Sequence, residues 1–357
     1  MKTLIHAMYD EYISLLKKLI TIPSFSREES GTAEAIFDFL QTKGTKPQRH
    51  LNNVWVEHPS NHNSKPTVLL NSHHDTVKPS AGWTYDPFVP NEVNGKIIGL
   101  GSNDAGASVV ALMAAFMHFY GRTDLPFNLI YSATAEEENS GENGIESILD
   151  RLGAIDLAIV GEPTNMGMAV GERGLMVLDC RVTGKAGHAA REEGVNALYK
   201  ALPVIDWFRS YRFPEVSDVL GESRMTVTQI RAGYQHNIVP DVCEFVVDVR
   251  TNDLYSNAKA LDIILQNVKC EVIPRSVRLN SSRIDPNHPV VRAARAIGLG
   301  TYGSPTTSDQ AVIPYPSVKI GPGDSARSHT ANEFIHPEEI IRGIDTYIKL
   351  LGSLDMV

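Results

Sequence analysis

Four short apolar runs in this chain each lead into side chains that hold metals or move protons, and nothing else in the sequence restricts the fold so closely. The first, Thr67-Val68-Leu69-Leu70, reads as a short buried strand and delivers His73 and Asp75 two residues apart. Glu136-Glu137-Glu138 follows the run from Phe127 to Ala133, and Glu162 follows Leu157 to Val160. His329 lies in a loop after Ser317 to Ile320. Asn103-Asp104 opens an apolar helix expected over Ala105 to Tyr120. Ligands of open α/β sheets bind beyond the carboxyl ends of strands, so this repeated placement predicts one site.

Around these runs the chain reads as alternating helices and strands. Tyr12, Leu15, Leu16, Leu19 and Ile20 share a helical face over residues 7 to 20, and Ile22-Pro23-Ser24 stops that helix. Ser26-Arg27-Glu28-Glu29 fits a capping box for a second helix ending near Gly44. Val54-Trp55-Val56 predicts a strand, and Ala81 to Gly95, with Pro87, Pro90 and Asn94-Gly95, predicts a loop. Strands alternating with helices imply an α/β fold with a mostly parallel central sheet covered on both faces.

The texture changes near Arg173. Strands over Leu175 to Thr183, Met225 to Arg231, Cys243 to Arg250 and Cys270 to Arg275, with helices over Val195 to Tyr211 and Ser256 to Val268, make a β-α-β-β-α-β order. That order predicts an inserted ferredoxin-like α+β domain over residues 173–283. Residues 1–172 and 284–357 then form one discontinuous domain, and a length of 357 residues suits two domains.

A chain that is 42% hydrophobic and 21% charged is an ordinary globular protein, and its net charge of −9 argues against nucleic-acid or anionic-membrane partners. Three cysteines, Cys180, Cys243 and Cys270, form no CxxC pair and read as reduced thiols suited to a cytoplasm. Met1 to His6 lacks the apolar core of a signal peptide, and no run is long enough to span a bilayer.

The chemistry follows from residue type. A lone histidine at a strand end is usually structural, but Asp75 can accept the second ring N–H of His73 and fix its tautomer, as carboxylates do behind zinc-binding histidines. His74 competes with His73, although its side chain leaves on the opposite face. Asp104 suits a helix N-cap and can also bridge two ions through its two oxygens. Three successive acids usually mark a solvated face; crowded at a strand end, they call for a cation or shifted pKa values. Two histidines with Asp104, Glu138 and Glu162 suit zinc or a similar divalent ion better than magnesium, and two such ions can acidify a bridging water. Glu137 is then available as the proton acceptor. No Gly-x-Ser-x-Gly elbow, P-loop or His-Glu-x-x-His offers a competing plan.

The ordered motifs resemble those of the M20 metallopeptidase/deacylase family. They are Ser72-His73-His74-Asp75-Thr76-Val77, Gly101-Ser102-Asn103-Asp104-Ala105-Gly106, Thr134-Ala135-Glu136-Glu137-Glu138, Val160-Gly161-Glu162-Pro163-Thr164, Gly187-His188 and the late His329. One departure is Ala105-Gly106, where many members carry a Lys before the Gly.

The resemblance implies a zinc-exopeptidase-like catalytic domain with a lid and dimerisation domain, and two divalent ions, zinc or cobalt. Asp104 would bridge them, His73 and Glu162 would complete one site, and Glu138 and His329 the other. Asp75 would orient His73, and Glu137 would be general base and acid. His188 would stabilise the oxyanion, reaching across from a second subunit of a homodimer. Asn237, Arg250 and Arg173 would bind the substrate carboxylate, a task suited to the arginine fork.

The resulting expectation is a cytoplasmic amidohydrolase in which hydroxide generated at the metal pair removes the acyl group of a small N-acyl amino acid. N-acetylornithine or a related ornithine or citrulline derivative of arginine biosynthesis is the first choice. Desuccinylation of diaminopimelate or lysine derivatives, or dipeptide cleavage, is the alternative. A metal- or amino-acid-binding protein on the same scaffold is the non-enzymatic reading, and Glu137 beside all five ligands speaks against it.

Overall fold

A computed structural model describes residues 2–62, 64–191 and 193–356, with side chains from Tyr9 onward; the reading made at Met1 to His6 lies outside those side chains. The chain divides into two compact units, Met1–Val170 with Ile284–Tyr302 and Ser308–Val357, and Gly171–Arg283 with Gly303–Thr307.

The first unit opens with α1 (Lys2–Ile20) and α2 (Ser30–Thr42), whose apolar faces bury Tyr12, Leu16, Ile36 and Leu40. The expected capping box does not form. Helix α2 starts at Ser30 without a side-chain cap, because the Glu29 carboxylate accepts instead from the backbone N–H groups of Arg27 and Glu136 and from Asn52.

Next come β1 (Gln48–His50), β2 (Asn53–Glu57) and β3 (Thr67–His73). Every residue of β3 is buried, as befits a strand covered on both faces. The stretch expected to be loop contains half of a hairpin, β4 (Asn91–Val93) paired with β5 (Lys96–Ile98) around Asn94-Gly95, both of which take positive φ. A buried turn, Ser102–Gly106, in which Asp104 and Ala105 leave helical angles, then precedes α3 (Ala107–Phe119), so the helix starts two residues later than its apolar pattern suggested. Helix α3 is apolar nearly all round and buried to match. Strand β6 (Asn128–Thr134), α4 (Glu146–Leu152), β7 (Leu157–Val160) and β8 (Met168–Glu172) follow, and β8 leaves this unit at Val170.

The second unit holds β9 (Met176–Thr183), α5 (Ala197–Ser210), β10 (Arg224–Ala232), β11 (Val242–Arg250), α6 (Asn257–Asn267) and β12 (Glu271–Pro274). Its sheet runs β10-β11-β9-β12 with every pair antiparallel, the ferredoxin-like arrangement. Alternate residues of β9 and β11, among them Leu178, Cys180, Phe245 and Val247, join Phe208 and Ile264 in one core. The side chains of Asn196 and Ser256 cap α5 and α6. Strand β13 (Ser282–Arg283) pairs with the last two residues of β8.

The chain then completes the first unit with α7 (Pro289–Ala296), the first half of β14 (Thr301–Ser304), whose last two residues count with the second unit, β15 (Ser317–Lys319), β16 (Phe334–Ile335) and α8 (Pro337–Gly352). The order through its sheet is β1-β2-β6-β3-β7-β15-β8, with β6, β3, β7 and β15 mutually parallel. The expected α/β class with a mostly parallel centre is therefore present. Its register aligns His73 with Thr134, Asn71 with Val160, and Val160 with Lys319. All four apolar runs end at one edge of one sheet.

Candidate metal centre

At that edge the side chains of the first unit converge. The Nδ1 of His73 lies 3.1 Å from the Asp75 carbonyl and 3.4 Å from its carboxylate, so both neighbours are acceptors and Nδ1 carries the hydrogen. Nε2 then faces Asp104 Oδ1 at 3.3 Å, Glu162 Oε1 at 3.5 Å and Glu137 Oε2 at 3.9 Å. A neutral ring aims its Nε2 lone pair at these carboxyls, an arrangement that a proton shared with them or a metal ion would satisfy. Burial opposes a proton on the ring, but the charges of Glu137, Asp104, Asp75 and Glu162 push the His73 pKa well above its ordinary range.

Asp104 presents its other oxygen, Oδ2, to His329 Nε2 at 3.8 Å, and the same nitrogen lies 3.0 Å from Glu138 Oε2. Two groups, His73 with Asp104 and Glu138, and His73 with Glu137 and Glu162, bring their donor atoms within 4.8 Å of one another. His74, as the strand alternation requires, turns away to Thr32 and the Asn52 carbonyl.

The carboxyls pay for this crowding. Burial and the neighbouring negative charges push Glu137 well above its ordinary range and Glu138 upward, with His73 and His329 opposing, and Glu162 reaches about 8. Asp104 moves down despite burial, because it bonds His73. His329 rises to about 9 on its bond to Glu138. The buried Glu162 Oε1 has no hydrogen-bond partner. Imidazole nitrogens, crowded carboxylates and an orphaned buried oxygen fit divalent zinc-like ions, which would satisfy all three.

Behind these donors Asp75 does more than face His73. Its fully buried carboxylate accepts the backbone N–H groups of Glu137 and Glu138, both at 3.1 Å, and the Ser26 hydroxyl at 2.7 Å. It therefore fixes the acidic turn as well.

Three further buried acids escaped the sequence reading. Glu29 supports the N–H of Glu136. Asp309, raised to about 6 by burial, accepts from Asn71 and Thr134 at the ends of β3 and β6. Glu333, raised to about 8 by burial, accepts three backbone N–H groups, including that of Asp104. For Glu333 a signal existed: an acid directly before the apolar pair Phe334-Ile335, four residues after His329.

The remaining candidates lie in the second unit. His188 is exposed and bridges Ile238, and the Ala189 N–H bonds the Asn237 carbonyl, so the loops bearing His188 and Asn237 are stitched together. Arg250 sets its fork on Asp248 at 2.8 and 3.0 Å, with Nη1 3.3 Å from Thr307. Arg173 is half-buried and donates to the Leu220 carbonyl.

Comparison with known proteins bears on the whole chain. Residues 69–353 match the model of Peptidase family M20/M25/M40. A succinyl-diaminopimelate desuccinylase of Delftia acidovorans is 27% identical over 250 residues, which cover 64% of this chain and 65% of that relative. A succinyl-diaminopimelate desuccinylase of Rickettsia bellii is 26% identical and covers 95% of this chain and 96% of its own length. Among solved structures, the YXEP protein of Bacillus subtilis, described as a dinuclear metal binding peptidase, superposes with a TM-score of 0.74 at 16% identity, covering 99% of this chain and 100% of that one.

Proposed function

This chain belongs to peptidase family M20/M25/M40, and on that premise we propose that it hydrolyses a linear amide bond of a small acylated amino acid with two divalent ions. The observation that carries the reading is the convergence of Asp104, Glu137 and Glu162 on His73 Nε2, and of Asp104 and Glu138 on His329 Nε2. Asp104 would be shared between the ions, His73 and Glu162 would hold one, and Glu138 and His329 would hold the other. Zinc suits the mixed nitrogen and oxygen donors, and cobalt is its close substitute.

When bound, such ions polarise the amide carbonyl and acidify water. Glu137 takes the water's proton and returns it to the leaving amine. Asp75 orients His73 through the ring N–H and keeps Glu137 in place through its backbone. His188 donates to the developing oxyanion. Arg250, Asn237 and Arg173 receive the substrate carboxylate, for which Arg250 has to share the fork now held by Asp248. No helix among the described residues is long and apolar enough to cross a membrane, and three free thiols suit the cytoplasm we assign.

For the acyl group, the names of the two relatives support the succinyl-diaminopimelate alternative better than N-acetylornithine, so N-succinyl-diaminopimelate becomes the first substrate and the arginine-pathway reading the second. The test is amine release from N-succinyl-diaminopimelate, N-acetylornithine, N-succinylornithine and N-acetylcitrulline, with zinc or cobalt and after chelation. Chelator-sensitive turnover of the first compound is expected. Silence on all four by a metal-loaded chain would reject the deacylase reading in favour of peptides or of binding alone. The same preparation should sediment as a homodimer, paired through exposed Tyr199 and Leu202 of α5 and the edge strand β10. A fully active monomer would remove His188 from any neighbouring subunit's site.

A further inference from the structure

His329 is the one proposed ligand carried by neither a strand end nor a buried turn. Its side chain is 55% exposed and its backbone takes a φ of 59°. Its place therefore depends on whatever anchors residues 321–333. Part of that anchoring comes from the chain beyond Glu162: Thr164 and Met166 donate N–H groups to the Gly321 carbonyl, and Asn165 donates to that of Gly323.

The rest comes from the segment that carries Asp104. Asn103 is fully buried and pairs with the Asp324 backbone in both directions, accepting its N–H at 2.9 Å and donating to its carbonyl at 3.1 Å. The same amide nitrogen lies 3.5 Å from the hydroxyl of Ser328, the residue before His329. Glu333 closes the far end of the loop. Its Oε1 accepts from Asn103 N–H at 2.8 Å and Asp104 N–H at 2.9 Å, and its Oε2 from Gly101 N–H at 3.2 Å. Two side chains thus lock residues 101–104 to both ends of the segment bearing His329.

We infer that Asn103 and Glu333 are positioning residues that set the spacing between Asp104 and His329, and hence the affinity of the Asp104/Glu138/His329 ion; this rests on the metal reading above. The other ion depends on them less. His73 belongs to β3 and Glu162 directly follows β7, so the sheet itself holds that pair.

The test is titration of the metal-free chain with zinc and with cobalt, read by calorimetry, bound-metal analysis and the visible absorption of each cobalt equivalent. The variants are Asn103→Ala, Glu333→Gln and Gly323→Ala. The last leaves both positioning side chains in place, but a Cβ at Gly323, where φ is +90°, would run into Asn103 Oδ1 and pry the loop away. Wild type should take up two ions. Asn103→Ala and Gly323→Ala should bind the second about 10- to 100-fold more weakly, the range seen when residues supporting ligands are removed, with the first nearly unchanged. Glu333→Gln, which can keep the Oε1 bonds but sets an amide N–H against Gly101, should fall between. Excess zinc should restore kcat in each, a rescue that a merely misfolded variant would not show. If Asn103→Ala and Gly323→Ala, whichever fold, bind both ions as tightly as wild type, the brace is refuted while the metal reading stands. A wild-type chain that binds fewer than two ions overturns the metal reading itself, and the brace with it.

Discussion

Replacing Glu137 by Gln is expected to lower kcat about 10²- to 10⁴-fold, the usual contribution of a positioned proton-transfer group, with two ions still bound. The carboxamide keeps the size of the side chain and leaves the backbone N–H on Asp75 untouched. What it removes is the ability to accept a proton from water and return it to the amine. The metal content matters as much as the rate, because Glu137 Oε2 also lies within reach of His73 and Glu162 as a possible donor. A variant that loses one ion along with its activity would make Glu137 a ligand. Turnover equal to wild type with both ions present would end its assignment as base.

Stripping the metal is expected to abolish turnover and to reverse the pH dependence of stability. Glu162 and Glu333 stand near 8, and Asp309 near 6, against ordinary values of 4.5, 4.5 and 3.8, all raised first by burial. Between the ordinary and the raised value the folded chain holds a proton that the unfolded chain has released. Stability of the metal-free protein therefore falls as pH rises through that window, from about 4 to about 8. All three acids act in the same direction, so the loss accumulates across the window. Zinc acts in the opposite sense. An ion at a thousand times its Kd adds about 4 kcal/mol, and since binding displaces protons from these carboxyls, the gain grows with pH. Urea unfolding at pH 5 and pH 8, with chelator and with zinc, measures both slopes; parallel slopes would contradict the account.

Much of this centre was legible in the sequence because every proposed donor except His329 follows an apolar run closely or opens an apolar helix. Parallel strands pointing the same way bring such ends together without any further information. Thus His73, Glu137, Glu138 and Glu162 could be placed at a common edge from hydrophobic pattern alone. Less local features were not legible. Glu29 looked like part of a helix cap, yet its partners include the Glu136 N–H, far along the chain. Asp309 and Glu333 are single acids whose roles depend on backbone groups or side chains reached only in three dimensions. The hairpin of β4 and β5 was hidden by prolines nearby, although its Asn94-Gly95 turn is a strong local signal.

Strand β15 enters the sheet between β7 and β8, although it is made from residues much later in the chain than either. Its position has a consequence for synthesis. Residues 171–283 form a nearly self-contained unit, whose sheet β10-β11-β9-β12 is made of its own strands alone, and can acquire their structure once they have left the ribosome. The preceding strands cannot close their sheet at that moment. They have to wait, with β7 lacking its neighbour and the acids beyond it uncompensated, until the chain has passed through the insertion and returned. A nascent chain halted after residue 283 would already contain His73, Asp104, Glu138 and Glu162 but neither β15 nor His329, so the centre would be assembled only late in translation.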